Sequence, residues 1–134
     1  MASIFTKIIQ GEIPCEKIIE TDAEIALLDI MPSAAGHTLV IPKIEVMRLE
    51  DLPETQAISL MRTLQQVAKA VSTAFDGIDY NLILNNGKNA GQEVEHIHFH
   101  VLPRGEGSPR PFRKHIQYAE GEMQEVGARI RNCL

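Results

Sequence analysis

Apolar side chains recur at Ile4, Phe5, Ile8 and Ile9, the spacing of one helix face, and Gly11 stands where so short a helix would end. After Pro14, residues 17–21 read as a strand, and Asp22-Ala23 turn it into a second strand over residues 25–30. Residues 31–36 read as a loop and residues 37–41 as a third strand, ended by Pro42. The longest periodic run is 53–75, where apolar positions 57, 60, 61, 64, 67, 68, 71, 74 and 75 form one continuous helical stripe. Asp51 and Glu54 have capping-box spacing at its start, and Pro53 fits its first turn. Residues 80–85 predict a strand, and residues 96–101 another, across a loop that carries glycines. Met123, Val126 and Ile130 predict a C-terminal helix, which Gly121 and Gly127 weaken.

The order is therefore a short N-terminal helix, three strands, a long helix, two strands and a C-terminal helix. Short connections between consecutive strands favour antiparallel pairing. The expected fold is α+β, a five-stranded antiparallel sheet with one long helix needing a face to cover, in a single domain over residues 1–134. A 44% apolar share with 23% charged residues is globular, and a net charge of −5 argues against a general nucleic-acid binder. The segment from Met1 to Lys7 lacks the layout of a signal peptide, and no apolar run approaches a membrane span. Cys15 and Cys133 have no metal-binding spacing and read as free thiols. A cytoplasmic protein without membrane or nucleic-acid partners is expected.

Chemistry concentrates in His96-Ile97-His98-Phe99-His100-Val101. On a strand the three imidazoles share one face, and Ile97, Phe99 and Val101 take the other. Two readings stay open: metal ligation, most often of zinc, or covalent catalysis by one neutral imidazole with the others donating hydrogen bonds to an anion. The loop Asn85-Asn86-Gly87-Lys88-Asn89-Ala90-Gly91-Gln92-Glu93-Val94 is either a plain hairpin connection or a backbone nest for an anion. Because it feeds into the histidine face, the nest is preferred, and it favours the covalent reading. His37 opens a strand that could lie beside the triplet and supply a fourth imidazole. Asp29, at the end of an apolar strand, is either a turn residue or a carboxylate for a ribose diol. His115, beside Arg113 and Lys114, reads as part of a solvated basic loop.

These blocks resemble the histidine triad family of nucleotide hydrolases and transferases. The resemblance rests on residues 4–14, on Asp29-Ile30-Met31-Pro32, on Gly36-His37-Thr38-Leu39-Val40-Ile41-Pro42-Lys43, and on Gly91-Gln92 through His96 to Arg104. It implies a dimer in which helices and sheets continue across a two-fold, and cleavage at a nucleotide α-phosphate through a nucleotidyl-histidine intermediate. By position His98 would be the nucleophile, held in one tautomer by the carbonyl of His96. His100 and His37 would contact the α-phosphate, with Asn85 and the amides from Gly91 through Gln92 and Glu93 to Val94. Asp29 would bind the ribose, and Phe5, Ile8, Leu27 and Ile30 would line the base pocket. No cofactor is implied. Two departures stand out. Some relatives hold structural zinc with an N-terminal cysteine pair where this chain has Ser3 and Thr6, so no metal is expected. Glu93 stands where many members carry Ser or Thr toward the leaving group, which tilts the expected substrate from dinucleoside polyphosphates to nucleoside phosphoramidates. A dinucleoside polyphosphate hydrolase, or a nucleotide-binding protein with vestigial chemistry, remains the alternative.

Overall fold

The computed structural model of the chain describes residues 2–108 and 115–134; Arg113 and Lys114 of the basic loop, and Met1, lie outside them. Ser3 begins the first helix, α1 (Ile4–Ile9), by accepting the Thr6 amide on its hydroxyl at 3.0 Å. Gly11, at φ +80°, lets the chain turn out of it while the Gly11 and Glu12 amides donate back to Ile8 and Lys7, so the predicted stop is a Schellman cap.

Five strands follow: β1 (Lys17–Glu20), β2 (Glu24–Leu28), β3 (Thr38–Pro42), β4 (Asp79–Leu84) and β5 (Phe99–Arg104). They form one sheet in the order β1-β2-β3-β5-β4, and every neighbouring pair is antiparallel, as expected. Alternation along the strands sorts the core into two layers. Ala26, Leu28, Val40 and Val101 face the long helix α2 (Glu54–Ala74), which buries Leu60, Leu64, Val67, Ala68, Val71 and Ala74. Each large side chain buried there contributes about 1.5–3 kcal/mol before entropy is counted. The C-terminal helix α3 (Glu122–Arg131) adds Val126 and Ile130 to the same layer. Ile25, Leu27, Leu39 and Ile41 face the other way and are covered by Phe5 of α1. That second face is the one to which the imidazoles belong. No helix among the described residues is long and apolar enough to cross a membrane.

Several local expectations change. The capping box does not form: Asp51 lies in a 3₁₀ turn over Leu49–Asp51, and Pro53 itself is the N-cap of α2 without a side-chain cap. Met61, expected in the stripe, is 55% exposed, beside Ile58 at 56%. Gly127 lies inside α3 against Glu16, where a Cβ would stand 2.7 Å from its Oε2 and the Glu16 side chain would have to shift. Gly36, at φ +89°, is also required: a Cβ would meet the Phe75 ring at 2.6 Å. Pro42 closes β3 as expected, paired opposite Glu24 as the strand's last residue.

The histidine segment is the main revision. Regular pairing of β5 begins at Phe99, opposite Val40 and Leu84, so only His100 lies within the strand. Pro42 supplies no amide to extend the ladder, and its carbonyl is taken by the His96 ring at 2.8 Å. The alternation nonetheless survives. Ile97 and Val101 are buried in the α2 layer with Phe99 packed against it, and His98 and His100 sit ring to ring, centroids 4.9 Å apart.

Candidate active site

The carbonyl of His96 lies 2.7 Å from Nδ1 of His98. A carbonyl only accepts, so Nδ1 of His98 carries the proton and Nε2 is left with a bare lone pair. The segment that places this carbonyl is itself tied down: the Ile97 amide donates to the Val46 carbonyl at 2.8 Å. Phe5 packs edge-on against the His98 ring, centroids 4.9 Å apart. Its contact restricts the ring while exposing no competing polar group.

A second chain of donors fixes the other two imidazoles. The Ser33 amide donates to Nδ1 of His37 at 3.0 Å, so the His37 proton sits on Nε2. That nitrogen lies 2.9 Å from Nδ1 of His100 and donates to it. The remaining proton of His100 is therefore on Nε2. The chain ends in a donor, and the neighbouring His98 ring ends in a lone pair. Gly36 places His37 at the start of this relay, and its amide donates to the Tyr118 hydroxyl at 3.0 Å.

Burial holds all four imidazoles neutral at pH 7. Burial first, then repulsion from His115 and His98, pushes His37 from 6.5 down to about 4. Burial, with His98 and His37, does the same to His100, again to about 4. His98 is lowered by burial, opposed by the His96 carbonyl and by the charges of Asp29 and Glu93. His96 is lowered by burial against its bond to Pro42.

Asp29 follows β2, its Oδ1 accepting the Met31 amide at 2.9 Å and its Oδ2 3.7 Å from Nε2 of His37. Asn85 follows β4 and lies beside Gly91, its Nδ2 3.8 Å from where a Cβ would stand. Phe5 and Leu27 are in the second core and Ile8 packs against it, whereas Ile30 is 73% exposed. Gln92 is buried and structural: its Oε1 accepts the Gly87 amide and its Nε2 donates to Met47, both at 2.7 Å. The loop thus turns the amides of Gly87, Ala90, Gly91 and Gln92 inward, and the expected nest contracts. Among the described residues the Glu93 and Val94 amides make no hydrogen bond. Glu93 and His115 are exposed.

The triplet is not built to chelate, since both ring nitrogens of His96 are committed. Its Nε2 meets Pro42, and its Nδ1 lies 2.7 Å from the Ser3 hydroxyl. Ligand atoms that do converge, within 4.8 Å of one another, belong to Asp29, His37 and His100. At the N-terminal place where relatives can hold zinc, Thr6 donates to Glu45 at 2.6 Å and the Ser3 amide donates to the same oxygen at 2.7 Å. Two hydroxyls engaged with one carboxylate and one imidazole do not make a zinc donor set. Glu45, Ser33 and Tyr118 were not visible as site residues in the sequence, because each acts through a contact distant along the chain.

A HIT domain model matches residues 10–107. The chain belongs to the HIT, or histidine triad, family. An adenosine 5'-monophosphoramidase of Schizosaccharomyces pombe is 39% identical over 104 residues, 78% of this chain and 75% of that protein. An adenylylsulfatase of Arabidopsis thaliana is 33% identical, covering 98% of this chain and 68% of its own length. The crystal structure of a zinc-bound histidine triad protein from Mycobacterium smegmatis superposes with a TM-score of 0.86 at 33% identity, covering 99% of this chain and 93% of that one.

Neutral buried histidines make HIT-fold stability depend on acid. Between pH 6.5 and about 4 the unfolded chain binds protons that His37 and His100 in the folded chain refuse, so stability falls as pH drops through this window. The slope is at most about 1.4 kcal/mol per pH unit for each histidine. Urea unfolding at about pH 7, 5.5 and 4.5 should show a steeper loss for wild type than for His37→Asn; equal slopes would contradict neutral burial.

Proposed function

We propose that this HIT protein hydrolyses nucleoside phosphoramidates at the α-phosphate through a covalent nucleotidyl-His98 intermediate. The observation carrying this reading is the 2.7 Å contact between the His96 carbonyl and Nδ1 of His98, which leaves Nε2 as a neutral nucleophile. The phosphoramidase name of the yeast relative supports the substrate class.

In the first step Nε2 of His98 forms a bond to phosphorus. The phosphorus–nitrogen bond breaks, and its electron pair leaves on the nitrogen, which takes two protons from solvent and departs as an ammonium. Negative charge grows on the non-bridging oxygens, where Nε2–H of His100 and the Glu93 and Val94 amides are the proposed donors, with Asn85 beside them. Water then attacks phosphorus and gives a proton to solvent. The phosphorus–Nε2 electron pair returns to His98, releasing the nucleoside monophosphate. Asp29 would accept the ribose hydroxyls, and Phe5, Ile8, Leu27 and Ile30 would contact the base. No metal enters either step.

Glu93 selects among leaving groups. Its carboxylate is exposed beside the site and its charge is felt at His98. It attracts a departing ammonium and repels a sulfate or polyphosphate. Trapping by rapid alkaline quench, which preserves phosphorus–nitrogen bonds, should yield an adenosine 5'-phosphoryl group on His98 from adenosine 5'-phosphoramidate, and none with His98→Asn, which should fold and bind AMP. Wild type should prefer the phosphoramidate to adenosine 5'-phosphosulfate and to diadenosine polyphosphate in kcat/KM, and Glu93→Gln should narrow the preference by about five- to tenfold. An unlabelled His98 during turnover, or faster polyphosphate cleavage by wild type, would overturn the respective statements.

The active unit is proposed to be a homodimer joined through α2 and β4. Ile58, Met61, Tyr80 and Leu82 stand exposed around a groove of about 700 Å³, and β4 is an edge strand. Free thiols at Cys15 and Cys133 fit a reducing cytoplasmic setting. Light scattering should give twice the 14.9 kDa chain mass, and Met61→Glu should shift it to one chain. A monomeric wild type would contradict the dimer.

A further inference from the structure

Ser3 is 93 positions from His96 in sequence, yet its hydroxyl lies 2.7 Å from Nδ1 of that ring. The other nitrogen of His96 lies 2.8 Å from the Pro42 carbonyl, so Nε2 holds the ring's proton and Nδ1 must accept. The Ser3 hydroxyl is its donor. As an acceptor the same oxygen takes the Thr6 amide at 3.0 Å, which is the N-cap of α1. Thr6 Oγ1 is 3.3 Å away, a poorer acceptor for the Ser3 proton than the imidazole at 2.7 Å, and its own proton goes to Glu45 at 2.6 Å. Glu45 also accepts the Ser3 amide at 2.7 Å.

Ser3 is thus gripped at its amide and its hydroxyl while donating to His96. The His96 ring is fully buried and held at both nitrogens, and its main-chain carbonyl is the atom that orients His98. We propose that Ser3 is a positioning residue for the nucleophile, acting through His96, and that the Ser3–Thr6–Glu45–His96 hydrogen-bonded clasp couples the helix behind the base pocket to the carbonyl that sets the His98 tautomer. This rests on the assignment of His98 given above. It also accounts for the poor fit of zinc at this place: the four side chains satisfy one another.

Loss of the Ser3 hydroxyl leaves a buried Nδ1 acceptor without a donor and frees the ring to tilt about its single tie to Pro42. The His96 carbonyl would then no longer be held on the line of the His98 Nδ1–H. Nucleotide affinity depends on other groups and should be little affected.

Ser3→Gly is the informative variant, since glycine is nearly as good an N-cap but donates nothing to His96. Single-turnover formation of the nucleotidyl-His98 adduct at saturating substrate should slow by about tenfold, the effect of one lost buried hydrogen bond. The AMP dissociation constant should change by less than about threefold, and Ser3→Thr, which keeps the hydroxyl, should restore the rate. A saturating rate within about twofold of wild type in Ser3→Gly, or a loss confined to AMP affinity, would reduce Ser3 to a helix cap and overturn the proposal. If wild type itself forms no adduct, the assignment of His98 fails, but the clasp is still testable. Exchange of the His98 Nδ1 proton with solvent should be faster in Ser3→Gly than in wild type, and equal exchange would overturn the clasp.

Discussion

A main-chain carbonyl aimed at a ring nitrogen two residues later is the constraint on which this site depends. The His96 carbonyl faces Nδ1 of His98 at 2.7 Å, and the bond is buried. A free imidazole exchanges its proton between two nitrogens; here the nitrogen facing the carbonyl keeps it, and the other is left with the lone pair proposed above to attack phosphorus. The fold supplies what this requires. β5 can place His100 in a ladder, but the ladder must stop before His98 so that the His96 carbonyl is free for a side chain. β4 ends at Leu84, opposite Phe99, and on the other side Pro42 has no amide to offer.

The second layer of the site answers a related need. A phosphoryl group is anionic, yet the imidazoles are neutral, three buried and His100 half-buried, with His37 and His100 pushed down to about 4. A cation is not needed where fixed neutral donors point at the charge that develops during reaction. The run from the Ser33 amide through His37 to His100 orients one such donor, and each link leaves the next with one possible tautomer. Gly36 admits the required turn against Phe75, and Tyr118 holds its amide, so packing of the first core reaches the chemistry on the opposite face of the sheet.

Much of this was legible along the chain because it is written in short periods. The two-residue period from His96 to Val101 separated core from site, and the 3.6-residue stripe over the long helix demanded a sheet face to cover. Gly11 marked its turn for the same local reason. What was not legible depends on distant residues. The end of the β5 ladder follows from where β4 stops and from Pro42, and Glu45 acquires meaning only beside Ser3 and Thr6. The loop after β4 carried enough glycine to suggest a nest, but Gln92 draws several of its amides inward and leaves those of Glu93 and Val94. Spacing alone cannot say which amides a buried side chain will claim.

The protonation state of the His98 ring decides the account. Long-range nitrogen–proton NMR correlation on the uniformly ¹⁵N-labelled, ligand-free protein at neutral pH reads each ring nitrogen separately. A protonated, pyrrole-like Nδ1 paired with an unprotonated, pyridine-like Nε2 is the predicted result. A ring protonated on Nε2, or on both nitrogens, would contradict it.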